Sequence, residues 1–297
     1  MEYQSLVYQR PLIILEIGCN HKGEMSIAKE MIKWAAEYCH ADVVKFQKRN
    51  NFESLSLSQR NSLHPHPENS YGKTYGEHRD YLEFSIDQHA ELKDYCEKCN
   101  IIYASSVWDL TSAKEIASLN PNYIKVPSAQ NNNIGLLEWL CQFYPGEIQV
   151  SLGMTTRLEE DRILDVFRNH NRLSSLSLLA CTSGYPVESK DLCLLEISRL
   201  KSKYGNIVKR IGFSGHHLGC TADIAAFTLG AELIERHFTL DKSWKGTDHK
   251  ASLIPEEAKQ LISDLHCISR SLTFKDEDIL EVEEEQRKKL KHIESYE

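Results

Sequence analysis

The 297-residue sequence has no apolar run near the roughly 18 residues needed to cross a bilayer, so a membrane class is not favoured. Residues 1–11 lack the basic, then apolar, then small-residue order of a secretory leader, and the cytoplasm is the expected location. Positive charge is also short: 35 Lys and Arg stand against 43 Asp and Glu, and no basic stripe is evident. A phosphate backbone requires such a stripe, so no nucleic-acid partner is expected. The nine cysteines are an odd number without framework spacing, which argues against a disulfide scaffold and for reduced thiols. The single CxxC pair, Cys96 and Cys99, falls late in an expected helix with no second pair nearby, so packing explains it better than zinc or redox chemistry. Internal repeats, low-complexity tracts and P-loop spacing are missing too. What remains is a globular chain, 41% hydrophobic and 26% charged, able to bury one large core or two modest ones.

Short β-branched runs alternate with longer amphipathic stretches, the pattern of repeated βα units around a parallel sheet. Eight strands are expected, at 12–17, 42–47, 101–105, 123–126, 148–152, 175–181, 210–213 and 233–236. Helices are expected between them, one opening at Ser26, one after Ser85 and the last near 255–272. Eight units in this length suit an α/β fold of the (β/α)8 TIM-barrel type over 1–273, followed by a charged helical tail at 274–297. In that tail Glu283/Arg287, Glu284/Lys288 and Glu285/Lys289 have i,i+4 spacing. The interval 48–83 holds no convincing strand and reads as an active-site lid, with Gly72 and Gly76 as hinges.

In a barrel the strand C-termini carry the chemistry, and the reactive residues of this chain cluster there. His216 and His237 end adjacent strands and form a candidate site for an open-coordinated divalent metal, closer to Mn²⁺ than to a structural zinc centre. His217 is an alternative to His216, since neighbours on a strand face opposite ways. Either histidine could instead serve as a hydrogen-bonding group in the barrel mouth. The surrounding Glu235, Arg236, Asp248 and His249 favour the metal.

Lys45 and Lys125 end apolar strands, where a lysine is costly unless it meets an anion. Ser106, Ser128, Ser183 and Ser214 add hydroxyls, completing a cradle for phosphate and carboxylate oxygens. A buried partner such as Glu16 is the alternative for either lysine. Glu16 itself, at the end of the first strand, could position a water or take its proton.

Together, Glu-Ile-Gly-Cys-Asn-His-Lys-Gly at 16–23, Val-Val-Lys-Phe-Gln at 43–47, Gly-Lys-Thr-Tyr-Gly-Glu-His-Arg at 72–79, Lys-Val-Pro-Ser at 125–128, Ser-Gly-His at 214–216 and Glu-Arg-His-Phe-Thr-Leu-Asp-Lys at 235–242 resemble the sialic acid synthase family. The resemblance covers 11–273, with an animal-type run through 253. It implies condensation of phosphoenolpyruvate with N-acetylmannosamine or a related aldose. His216 and His237 would hold Mn²⁺, with Mg²⁺ or Co²⁺ as alternatives. Lys45, Asn69, Ser106, Lys125, Ser128, Ser183 and Ser214 would hold phosphoenolpyruvate, and Glu235 and Asp248 would address the sugar.

Two departures accompany the resemblance. Gln130 stands where the family has a carboxylate, so a catalytic position carries an amide that cannot exchange a proton near neutrality. The family also carries a small C-terminal domain that donates an arginine across a dimer, and the sequence stops where that domain would begin. The resemblance implies a homodimer, but without the domain that pairs the subunits the oligomeric state stays open between a homodimer and a separate partner supplying that domain. A different aldose acceptor, and a catalytically weakened subunit that only binds sugar or phosphoenolpyruvate, are the competing readings.

Overall fold

The computed structural model describes residues 9–292. Residues 1–8, part of the segment read for a leader, and 293–297 of the tail lie outside the described residues. Eight parallel strands close a barrel in sequence order, as the alternating pattern predicts: β1 (Leu12–Gly18), β2 (Val43–Lys48), β3 (Ile102–Val107), β4 (Tyr123–Val126), β5 (Glu147–Ser151), β6 (Leu176–Cys181), β7 (Arg210–Gly215) and β8 (Leu233–His237). The outer ring and lid comprise α1 (Met25–Lys33), α2 (Asn51–Ser54), α3 (Leu57–Asn61), α4 (Tyr75–Leu82), α5 (Ile86–Lys98), α6 (Leu110–Ser118), α7 (Ile134–Phe143), α8 (Arg157–Asn169), α9 (Leu195–Tyr204), α10 (Thr221–Thr228) and α11 (Pro255–Ser271). An exposed α12 (Glu281–Leu290) ends the described chain.

The core lies between strands and helices. Outward strand residues such as Ile13, Leu15, Val44, Phe46, Val150 and Ile211 meet Met31, Leu137, Leu140, Ile163 and Phe167 from the helices, all almost fully buried. Each such side chain contributes about 1.5–3 kcal/mol. Inside the barrel a small apolar plug that includes Ile14, Val43 and Ala104 closes the lower end. Above it the period-2 alternation turns Glu16, Lys45, Ser106, Lys125, Ser214 and Glu235 inward, towards the C-terminal face.

Helix starts follow local chemistry. Ser85 caps α5 in a reciprocal box with Gln88. Ser26 falls inside the first turn of α1, with Glu24 at the cap, a one-residue difference from the expected start. The interval 48–83 contains no strand, as expected, but folds into α2, α3, a 3-10 turn at Pro67–Asn69 and α4. Gly76 is not a hinge: it is buried within α4, where a Cβ would lie 3.0 Å from the Arg60 carbonyl oxygen. In the tail Glu285 pairs with Lys289, whereas Glu283 turns to Lys275 at 2.6 Å rather than to Arg287. Exposed i,i+4 pairs are worth only about 0.3–0.5 kcal/mol, so a nearer cation displaces them. Among the described residues no ion pair joins Glu284 to Lys288, no helix is long and apolar enough to cross a membrane, and the nine cysteines are free thiols.

Candidate active site

Four buried charges form the floor of the barrel mouth. Glu16 and Lys45 are register partners on β1 and β2 and form an ion pair. Lys45 also donates to Ser106 Oγ at 2.8 Å and lies 3.7 Å from Glu235 Oε2. Lys125 on β4 donates to both Glu235 oxygens, at 3.0 and 2.8 Å, and Ser214 Oγ donates to Oε1 at 2.9 Å. Gln47 Nε2 donates to Glu16 Oε1 at 2.7 Å. Gly18, at φ +57°, makes this last contact feasible, because a Cβ there would stand 3.1 Å from the Gln47 amide nitrogen and 3.2 Å from Glu16 Oε1.

Burial pulls these groups apart electrostatically. It pushes the Glu16 carboxyl above its ordinary range, more than Lys45 pulls it back. It also acts upward on Glu235, but Lys125, Lys45 and the Ser214 hydrogen bond hold that carboxyl far below the usual range. Burial lowers Lys125 despite Glu235. Two nearby carboxyls driven in opposite directions provide one group suited to carrying a proton and one suited to staying ionised.

Above the floor is a cavity of about 290 Å³ at the strand C-termini. Its wall includes Lys125, Ser128, Ser183, Ser214, Glu235, His216 and His237 from the sequence-derived set. Ser128 Oγ accepts from the Gly153 N–H at 3.1 Å. The two histidine rings lie 5.4 Å apart, with Tyr185 4.3 Å from His216. His216 Nδ1 faces the Thr182 carbonyl at 3.0 Å; a carbonyl only accepts, so Nδ1 is the donor there and Nε2 is the ring nitrogen left for a ligand. His237 Nδ1 is buried without a hydrogen-bond partner and lies 3.8 Å from Asp248 Oδ2. An orphaned imidazole nitrogen beside a second ring whose other nitrogen is already used as a donor is a pairing that fits a divalent cation. Among the described residues no group of three or more His, Cys, Asp or Glu is placed to hold a metal ion, so the two imidazoles stand alone as candidate ligands.

His217 faces the other way. Its Nε2 is 3.0 Å from Arg236 Nη1 and 3.2 Å from Asp223 Oδ2, in a buried network behind β7 and β8. His216 is therefore the histidine that faces the mouth.

Glu16, Lys45 and Ser106 lie beneath the cavity rather than on its wall. Asp248 stands beside His237; burial pushes its carboxyl up, but His237, a Thr247 hydrogen bond, Arg79 and His216 together bring it below the ordinary value. Asn69 is in the lid, its side-chain oxygen accepting from Gly246 N at 3.4 Å, and is not on the cavity wall. Gln130 is outside the cavity too, its amide oxygen facing Asn133 at 3.4 Å. Sequence reasoning missed Trp108, Ser151, Met154, Cys181 and Tyr185, which also line it. The strand-end rule could have found Ser151 and Cys181, the last residues of β5 and β6; Tyr185, past β6, had no such signal.

A wider cavity of about 760 Å³ lies at the opposite barrel end. Its Arg10 is spent on Asp42 and its Arg210 on Glu147, and the reactive residues are all at the other face.

Comparison with known proteins agrees with the motifs. The NeuB family pattern matches residues 31–277. The N-acetylneuraminate-9-phosphate synthase of Drosophila melanogaster is 38% identical over 95% of this chain and 76% of its own length. The N,N'-diacetyllegionaminic acid synthase of Campylobacter jejuni is 32% identical over 89% and 78%. The crystal structure of N-acetylneuraminic acid synthetase from Leptospira borgpetersenii, in complex with citrate, superposes with a TM-score of 0.79 at 27% identity, covering 97% of both chains. The chain belongs to the NeuB family, among the homologues of the sialic acid synthases that its motifs resemble.

Proposed function

We propose that this chain condenses phosphoenolpyruvate with N-acetylmannosamine or a closely related aldose, releasing phosphate and N-acetylneuraminate or a related nonulosonic acid. It is a carbon–carbon bond-forming transferase of the N-acetylneuraminate synthase type. The observation that carries this reading is the double ion pair Glu16–Lys45 and Lys125–Glu235 beneath a cavity faced by His216 and His237.

In the reaction the enol carbon of phosphoenolpyruvate bonds to the aldehyde carbon. Water adds to the resulting cationic carbon, and phosphate departs with its bridging oxygen. Lys125, Ser128, Ser183 and Ser214 present cationic and hydroxyl donors where the donor's phosphate and carboxylate oxygens need them. An arriving anion competes with Glu235 for Lys125, whose ammonium is already desolvated and oriented. Glu16, held above the ordinary carboxylate range and fixed by Gln47, manages the proton of the water. Asp248 and Glu235 accept sugar hydroxyls, and Tyr185 closes the wall beside His216. A divalent cation at His216 and His237, Mn²⁺ before Mg²⁺ or Co²⁺, would polarise the acceptor carbonyl.

A second, competing reading is a subunit that binds but turns over slowly; it rests on the sequence alone, since Gln130 lies outside the cavity. The deciding experiment is phosphate release from phosphoenolpyruvate with Mn²⁺ and either N-acetylmannosamine or its 6-phosphate, with chelator and His237→Ala controls. Release that requires sugar and metal, with a nonulosonic acid as product, supports the synthase. Substrate binding without release supports the second reading.

A further inference from the structure

Arg49, the first residue past β2, is a buried cation that the proposed reaction does not use. Its charge is balanced by Glu83 at the end of α4, which accepts from the Arg49 backbone N–H at 2.9 Å and from Nη1 at 3.3 Å. That ion pair occupies only part of the guanidinium, and other donors point towards the barrel. Nη2 donates to Gln47 Oε1, and Nη1 also donates to Cys19 Sγ at 3.5 Å. Trp108, a residue of the cavity wall, stacks against the same group, with Arg49 Cζ 4.0 Å from its ring centre. Arg49 thus joins the end of the lid to the wall and to Gln47.

The contact with Gln47 decides which way a side-chain amide faces. A carboxamide has one accepting end and one donating end, and a guanidinium has donors only. Gln47 must therefore turn its oxygen to Arg49, which leaves its nitrogen facing Glu16, where Nε2 donates to Oε1 at 2.7 Å. Cys19 supports the same orientation: its thiol, kept protonated by burial, lies 3.8 Å from Gln47 Oε1. Lys45 pairs with the other Glu16 oxygen. With both oxygens held, the plane of the carboxyl is fixed. Remove the guanidinium and only a thiol, a weak donor, opposes a flip that would turn Gln47 from a donor into an acceptor at Glu16.

We propose that Arg49 is a positioning residue for the condensation: acting through Gln47, it holds the Glu16 carboxyl in the orientation from which that group handles the proton of the water. This rests on the condensation reading above and on the role given there to Glu16. Arg49 is not on the cavity wall, so its removal is expected to leave substrate affinity in place and to slow turnover.

The test is phosphate release from phosphoenolpyruvate with Mn²⁺ and whichever of N-acetylmannosamine and its 6-phosphate is turned over. The wild type is compared with Arg49→Met, Arg49→Lys, Gln47→Met and the double variant Arg49→Met/Gln47→Met. Arg49→Met is expected to lower kcat about 10- to 100-fold with the KM for phosphoenolpyruvate within about threefold of wild type, and Arg49→Lys, which keeps the charge and a donor, to recover part of the loss. Once Gln47 is Met, the further loss from Arg49→Met is expected to be under about threefold, because both changes act on one carboxyl through one contact. An unchanged kcat, a loss confined to KM, or losses that multiply in the double variant overturns the positioning role and leaves the condensation standing. If Arg49→Met fails to fold with Glu83 uncompensated, Arg49→Met/Glu83→Leu removes both charges and is read in the same way. If the wild type turns over neither sugar, the condensation reading fails, and NMR decides whether Arg49 orients Gln47. The Gln47 side-chain amide signal, assigned by its loss in Gln47→Met, is expected to be protected from solvent exchange in the wild type and Arg49→Lys but not in Arg49→Met. Equal exchange in all three overturns the contact.

Discussion

Arg236 and Asp223 are ion-paired in the interior, one on β8 and the other on α10, directly behind the two histidines of the mouth. Both are almost completely buried, and Arg236 also donates to the His217 carbonyl at 2.6 Å and the Gly219 carbonyl at 2.9 Å. This guanidinium fixes the backbone between His216 and α10. Replacing Asp223 with Ala would leave a buried cation without its counter-charge. The expected cost is about 3–5 kcal/mol, measured by urea unfolding. A loss below 1 kcal/mol would contradict the assignment of the pair as a buried structural unit.

Lys125→Ala removes the one ammonium on the cavity wall and frees Glu235 to repel an incoming anion. Turnover of phosphoenolpyruvate is expected to fall by at least about 100-fold, the scale of losing a preorganised charge. Unchanged kinetics for phosphoenolpyruvate would remove Lys125 from the donor site.

Gly153→Ala tests the cradle by shape. A Cβ there would come within 2.7 Å of Ser128 Oγ and collide with Ser183 Oγ, so both hydroxyls must shift. The KM for phosphoenolpyruvate is expected to rise by about tenfold or more, since small displacements of positioning groups are costly. Steady-state kinetics measure this directly, and a KM within twofold of wild type would show that the two serines do not contact the donor.

His21 and His89 predict an acid limit. Burial lowers both to about 3, while in the unfolded chain they titrate near 6.5. Above pH 6.5 both are neutral in either state and contribute no pH dependence. As pH falls from 6.5 towards 3, the unfolded chain takes up protons that the folded one refuses, and stability drops by about 1.4 kcal/mol per pH unit for each. His89→Gln is expected to reduce the slope of unfolding free energy against pH by about that amount between pH 6 and 4. An unchanged slope would show that His89 is protonated in the folded protein.

The barrel was legible because its information is local. Each strand is a short β-branched run, and the observed boundaries lie within two residues of those read from the pattern. The Glu16–Lys45 pair was also within reach as the structural alternative for the lysine, since it joins consecutive strands. The Lys125–Glu235 pair was not, because the residues are 110 apart and no local pattern couples β4 to β8 across the barrel interior. Gly76 was misread because a glycine among polar residues looks like a hinge until the helix–helix contact at Arg60 is seen. His216 and His217 could be separated only by what lies behind the sheet, where Arg236 and Asp223 claim the second ring.

Closure of the barrel also makes occupancy a reporter of the whole chain. The first strand meets the last through the Glu16–His237 register, and the floor beneath the cavity joins Glu16 and Lys45 of β1 and β2 to Lys125 and Glu235 of β4 and β8, charges that meet only once the ring is complete. A fragment with half of the strands has no cavity to fill. Ligand saturation should therefore raise the melting temperature of the barrel as one cooperative unit, and loss of the β1–β8 seam alone would abolish substrate affinity while most of the helices remain intact.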